Sequence, residues 1–127
     1  MTEAEILALI LNCAYEVHED YVPGLPAEVY ETWLVVELNQ QWLTVNRHKE
    51  FSVKYLEQTF DHAFKVDLFA ENKVIVQIRA GEEITDLDIS ILKNYVRHSG
   101  CKLGILFNFL TPFYLIVAGA VIDKVED

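Results

Sequence analysis

Hydrophobic positions recur every three or four residues at the start of this chain and about every second residue in its middle. Ile6, Ile10, Cys13 and Val17 share one helical face, and Thr2-Glu3-Ala4-Glu5 ahead of them reads as a capping box. A loop from His18 closes at Pro23-Gly24. Pro26 fits the first turn of a second helix, where its missing N–H costs nothing. Tyr30, Leu34, Leu38 and Gln41/Trp42 give that helix its stripe, with Trp33 and Trp42 expected in the core. After Leu43 the period shortens toward two, which predicts strands over Leu43–Lys49, Phe51–Leu56, His62–Phe69 and Lys73–Ala80. Asp86–His98 reads as a third helix, opened by Thr85-x-x-Asp88 and closed by Gly100, with Ile89, Leu92, Val96 and Tyr95 toward the core. Strands over Leu103–Phe109 and Phe113–Ile122, joined by a Thr-Pro turn, complete the order α-α-β-β-β-β-α-β-β. The natural packing is one α/β domain over residues 1–127, a mixed central β-sheet flanked by helices.

Leu103–Ile122 carries no charged residue and is as long as a membrane span. Asn108, Thr111 and Pro112 at its middle, between runs of β-branched and aromatic residues, favour two buried strands instead. No membrane association is therefore expected. At 127 residues and 52% apolar the chain is long enough for a real core and too hydrophobic to be disordered. Its net charge is −10 and no Lys or Arg precedes Arg47. That balance disfavours a nucleic-acid partner and suits solvated helix faces, a basic protein partner or a homo-oligomer. Cys13 and Cys101 sit in apolar surroundings without a second ligand nearby, the pattern of buried free thiols in a reducing cytosol. No basic-then-apolar leader opens the chain, and a cytoplasmic location is expected.

The chemistry concentrates in Val66–Arg79. Asp67 ends one apolar run, Glu71-Asn72-Lys73 makes a polar turn, and Val74–Arg79 returns as a strand with Gln77 and Arg79 two residues apart. Adjacent strands would bring Asp67, Gln77 and Arg79 to one sheet end. A metal-dependent nuclease needs nearly that layout, an Asp on one strand and Glu-x-Lys on the next. His18, His48, His62 and His98 show no metal-ligand spacing of their own.

The chain resembles the PD-(D/E)XK nuclease superfamily, and within it the family named for its GxxExxY motif. The residues carrying this are Glu16-Val17-His18, Pro23-Gly24-Leu25, Val29-Tyr30-Glu31, Phe64-Lys65-Val66-Asp67-Leu68, Lys73-Val74-Ile75-Val76-Gln77-Ile78-Arg79-Ala80, Asn94-Tyr95 and Lys102-Leu103-Gly104, in family order. The resemblance implies a restriction-endonuclease-like fold. It also implies remnant catalytic positions at Asp67, Gln77 and Arg79, and a cleft lined by His18, Tyr30 and Tyr95; His62, on the strand leading to Asp67, is a further cleft candidate by position.

The departures fall on the positions the family uses for chemistry. The motif Glu is Ala27, the sheet Glu is Gln77, the sheet Lys is Arg79, and a helical Gln is Ile91. Mg²⁺ favours charged oxygen ligands, whereas Gln77 offers a neutral carbonyl. Arg79 cannot serve as a base, since its pKa exceeds about 12. These losses point to a pseudonuclease that binds or regulates, with no cofactor. In place of the metal, an Asp67–Arg79 ion pair is expected. The alternative is an active, divergent nuclease in which Asp67 and Gln77 hold Mg²⁺ or Mn²⁺ with a carboxylate recruited from Glu28 or Glu31.

Overall fold

The computed structural model describes residues 1–20, 24–81, 83–109 and 116–121. Helix α1 spans Glu3–Asp20. Its capping box is formed: Glu5 N–H donates to Thr2 Oγ1 at 3.2 Å, and Thr2 N–H donates to Glu5 Oε1 at 2.8 Å. Helix α2 spans Ala27–Gln40. Pro26 precedes its first turn as the cap residue, with extended backbone and no side-chain cap, one place earlier than the sequence suggests. The stripes Ile6, Ile10, Cys13, Val17 and Tyr30, Leu34, Leu38 are buried as expected.

The two strands expected over Leu43–Lys49 and Phe51–Leu56 are one, β1, Val45–Tyr55. Glu50 looks like a break in the pattern, yet it stays in the ladder opposite Lys65. Strand β2, Gln58–Ala70, begins earlier than His62 because a tight Leu56-Glu57 turn folds the chain straight back. Strand β3, Val74–Arg79, follows a turn in which Glu71 and Asn72 both have φ 54° and Lys73 N–H donates to Ala70 C=O at 2.9 Å. Two successive left-handed residues match the twist of flanking antiparallel strands.

Helix α3, Asp86–Ser99, then crosses over to β4, Leu103–Asn108, which runs parallel to β3. Its start is held by the Thr85–Asp88 capping box, and its end by Gly100 at φ 82°, a conformation glycine adopts freely. Strand β5, Ile116–Val121, pairs antiparallel with β4. The Thr111-Pro112 turn lies outside the described residues. The sheet is five-stranded and mixed, in the order β1-β2-β3-β4-β5. Among the described residues no helix is long and apolar enough to cross a membrane.

Two cores form, one on each sheet face. Helices α1 and α2 pack on Leu68, Ala70, Val74, Val76, Ile78, Ile105 and Phe107. Helix α3 packs Leu92 and Val96 on Val66, Phe69, Ile75 and Leu106. Strand β4 is buried along its whole length, which explains its uncharged sequence. Both cysteines are free and buried, and burial first, then Glu37 and Glu16, pushes the Cys13 thiol up to about 11. Trp42 departs from expectation: α2 ends before it, its φ is 66°, and its side chain is 91% exposed. Leu43 turns inward in its place.

Helix α3 lies so close to β4 that a Cβ on Gly104 would meet Val96 Cγ2 at 2.6 Å and Leu92 Cδ1 at 2.9 Å. Gly104→Val should therefore destabilise the fold by about 1–3 kcal/mol through overpacking, read as a lower midpoint in urea unfolding. Ser90→Val, on the exposed side of the same helix, should leave that midpoint nearly unchanged.

Candidate functional site

Asp67 and Gln77 face each other where β2 and β3 part. The last ladder pair is Leu68 opposite Val76. Just beyond it, side chains replace backbone pairing: Asp67 N–H donates to Gln77 Oε1 at 2.7 Å, and Ile78 N–H donates to Asp67 Oδ2 at 2.8 Å. Without these bonds, partly buried amides would lack partners at the split, a costly state.

Strand β2 also turns over at this point. Val66 belongs to the α3-side core and Leu68 to the α1/α2-side core, although residues two apart on a strand normally share a face. On β1, Arg47 pairs with Leu68 and Lys49 with Val66, so His48 lies in register with Asp67, and its φ is 55°. The irregularity brings Asp67 and His48 to Glu31 of α2. The ligand atoms of Glu31, His48 and Asp67 all lie within 4.8 Å of one another.

Glu31 is only 4% exposed. Its Oε2 accepts from Arg47 Nε at 3.0 Å and Nη2 at 2.6 Å, and His48 Nε2 stands 3.1 Å away. Arg47 Nη2 also reaches Thr32 Oγ1 at 3.2 Å. Burial raises the Asp67 carboxyl above the usual carboxylate range. The Ile78 N–H bond offsets this in part, the Glu31 charge adds to it, and His48 and Lys65 oppose it.

Arg79 does not pair with Asp67, contrary to expectation. It grips Asp88 at 2.5 Å, and its Nη1 is 3.5 Å from the Glu83 carbonyl. The α3 capping box explains the choice. Asp88 Oδ2 accepts from Thr85 N–H at 2.8 Å and Oγ1 at 3.0 Å, which fixes the carboxylate and aims Oδ1 at Arg79. The Thr85 amide first, with Arg79 adding, holds Asp88 below the usual range. Gln77, Arg79 and Asp88 line a cleft of about 220 Å³ with Ile91, Leu92 and Leu106.

The other expected cleft residues are scattered. Tyr30 is buried, stacks on Phe109 at 4.9 Å, and accepts from Leu25 N–H at 3.2 Å, which makes it a core residue that pins the loop before α2. His18 is half-buried beside Phe109, with ring centroids 6.3 Å apart. Tyr95 stacks on Phe64 at 4.2 Å. His62 is exposed on the β1–β2 hairpin and pairs with Glu50, away from the Gln77–Arg79 cleft. Ala27 packs against the α1/α2 core, and Glu28 is exposed, so of the two candidate recruits only Glu31 reaches Asp67. Arg47 and His48 carry no motif. Their signal lay in strand register, which placed His48 opposite Asp67 once β1 was read as one strand.

The family model for the PD-(D/E)XK nuclease superfamily matches residues 4–116. The chain belongs to that superfamily. Its fold is similar to the crystal structure of SSO0001, with a TM-score of 0.56 and 15% identity over 75% of this chain and 50% of that one. The superfamily member described here thus spans half the length of that protein. No curated protein gives a match.

PD-(D/E)XK nucleases usually use Mg²⁺. That ion favours charged oxygens in octahedral geometry. Here one Glu31 oxygen already meets three nitrogen atoms, and the Gln77 carbonyl is turned to the Asp67 amide. The donor set as it stands fits Mg²⁺ poorly.

Two stability predictions follow from this arrangement. Because Asp67 holds its proton to higher pH folded than unfolded, its ionisation opposes folding. The penalty sets in as pH rises past the ordinary value of about 3.9 and is complete above the folded value. Asp67→Asn, which keeps an acceptor for Ile78 N–H, should therefore stabilise the fold at pH 7 and lose that advantage at about pH 3.5, by urea titration at both. Glu31→Ala leaves Arg47 and His48 without their acceptor. With Arg47 35% exposed, the cost should be about 1–3 kcal/mol, less than for a fully buried pair.

Proposed function

We propose that this chain is a degenerate PD-(D/E)XK domain of the GxxExxY type that serves as a binding or regulatory module and does not hydrolyse phosphodiesters. The observation that carries the reading is the fate of the charges at the sheet end. Glu31, the carboxylate nearest Asp67, is held by Arg47 and His48, and Arg79 is held by Asp88. The protein's own cations thus stand where a metal would be needed. Arg79 can neither take a proton from water nor approach Asp67 without leaving its partner. Ile91 gives the cleft an apolar wall, and the net charge of −10 repels a polyanion.

One observation favours a second reading. Two carboxylates and an imidazole within 4.8 Å form a donor set suited to Mn²⁺, given displacement of Arg47 from Glu31. The chain would then be a divergent metal-dependent nuclease.

Calorimetric titration with Mn²⁺ and with Mg²⁺, beside a cleavage assay on DNA and RNA, separates the two. The expected outcome is no saturable metal binding and no cleavage that depends on Asp67. Metal-dependent cleavage abolished by Asp67→Ala would refute the pseudonuclease reading.

A further inference from the structure

Strand β1 forms one edge of the sheet, and among the described residues no strand covers its outer side. It is eleven residues long. Pairing between β2 and β3 stops at Leu68, so β1 and β2 run on beyond the sheet as a two-stranded arm. An edge this long offers a row of unpaired backbone groups, which proteins usually blunt or use.

The arm differs from the rest of the molecule in charge and in apolar exposure. Residues 47–65 carry four basic side chains (Arg47, Lys49, Lys54, Lys65) against three acidic ones (Glu50, Glu57, Asp61), one net positive charge in a chain of −10. Elsewhere two copies meet as like-charged acidic surfaces, and here opposite charges nearly balance. Tyr55 is 73% exposed, Leu56 77% and Phe60 69%. Phe60 lies opposite Val53 and Phe64 opposite Phe51, so one face of the arm is an apolar stripe that runs into the Phe51–Phe64–Tyr95 stack.

The sequence of β1 is complementary to itself. If two β1 strands pair antiparallel about a twofold axis at Ser52, Glu50 falls opposite Lys54 twice, Phe51 falls opposite Val53 twice, and Lys49 falls beside the Tyr55 ring. A slip of one residue toward the N-terminus sets Lys49 against Lys54 and puts apolar side chains opposite polar ones. Opposite charges directly across strands attract and like charges repel, so the Ser52 register is favoured over that slip. The Lys residues that would keep a stranger off this edge are, for a second copy, half of an ion pair.

We propose that the β1 edge is an isologous interface, at which a second copy of this chain adds its own β1 and the two five-stranded sheets join into one. The apolar stripes of the two arms lie side by side in that arrangement, and Tyr55 gains a cross-strand neighbour. The twofold centre at Ser52 and the paired Glu50 and Lys54 lie outside the Glu31–Arg47–His48–Asp67 cluster on the same strand, and the mass measurement does not depend on the reading of that site.

The test is the mass of the full chain in solution by light scattering and sedimentation, with two charge reversals at exposed positions. The wild-type chain should dimerise in a concentration-dependent way. Glu50→Lys sets Lys against Lys at both pairs, and Lys54→Glu sets Glu against Glu, so each should weaken self-association about tenfold or more. An equimolar mixture of the two variants should form a heterodimer, because every pair across the axis is then Lys against Glu. Circular dichroism of each variant alone checks that it is folded. A monomeric wild-type chain at its highest soluble concentration overturns the proposal. So does a dimer indifferent to both substitutions, or a mixture of folded variants that stays monomeric.

Discussion

The structure turns on a carboxylate that has to be accommodated where two strands separate. Asp67 sits at the split between β2 and β3, largely out of water. The fold answers with directed donors and nearby positive charge. The Ile78 amide binds the carboxylate, Gln77 returns the favour to the Asp67 amide, and Arg47 neutralises the neighbouring Glu31, with the His48 ring beside it. A partly buried charge in such a place is tolerable only when its surroundings are this specific. Glu31, deep on α2, ties the helix layer to the sheet edge through the same set of contacts. The site is thus a junction of four elements, α2, β1, β2 and β3, held by polar contacts over a hydrophobic base.

Much of this architecture was legible in the order of residues. Both capping boxes announce helices that exist, because Thr and an acidic residue three positions apart satisfy orphan amides by a local geometry that tertiary context rarely overrides. The uncharged run in β4 is explained by burial on both faces. The nuclease-like arrangement of the strands bearing Asp67 and Gln77 followed from apolar runs separated by a polar turn, and the match to the superfamily agrees with it.

What escaped were features set by irregular backbone. The left-handed residue at His48 goes with the change of faces of the paired strands, and the alternation of side chains along β1 does not mark it. Without that flip, Arg79 looks like the cation for Asp67. With it, Asp67 turns to α2, and Arg79 finds Asp88 already positioned by a helix cap. Glu50 suggested a strand break by polarity alone, although an edge strand exposed to solvent carries charge at no cost. Trp42 looked like core by size, yet the helix ended two residues before it and turned it outward.

The β1–β2 arm has a dynamic consequence. Beyond Leu68, β2 loses its pairing with β3, so from there outward each strand of the arm has only the other as its hydrogen-bonded neighbour within the sheet. Two-stranded ribbons are marginal in water, and local opening follows the elements with least support. The arm can therefore fray and reclose while Val74–Val76, flanked by strands on both sides, keep their amides shielded from exchange. Its exposed end can adjust to what it meets without loosening the junction at Asp67, because the bonds to Gln77 and Ile78 pin the base of the arm.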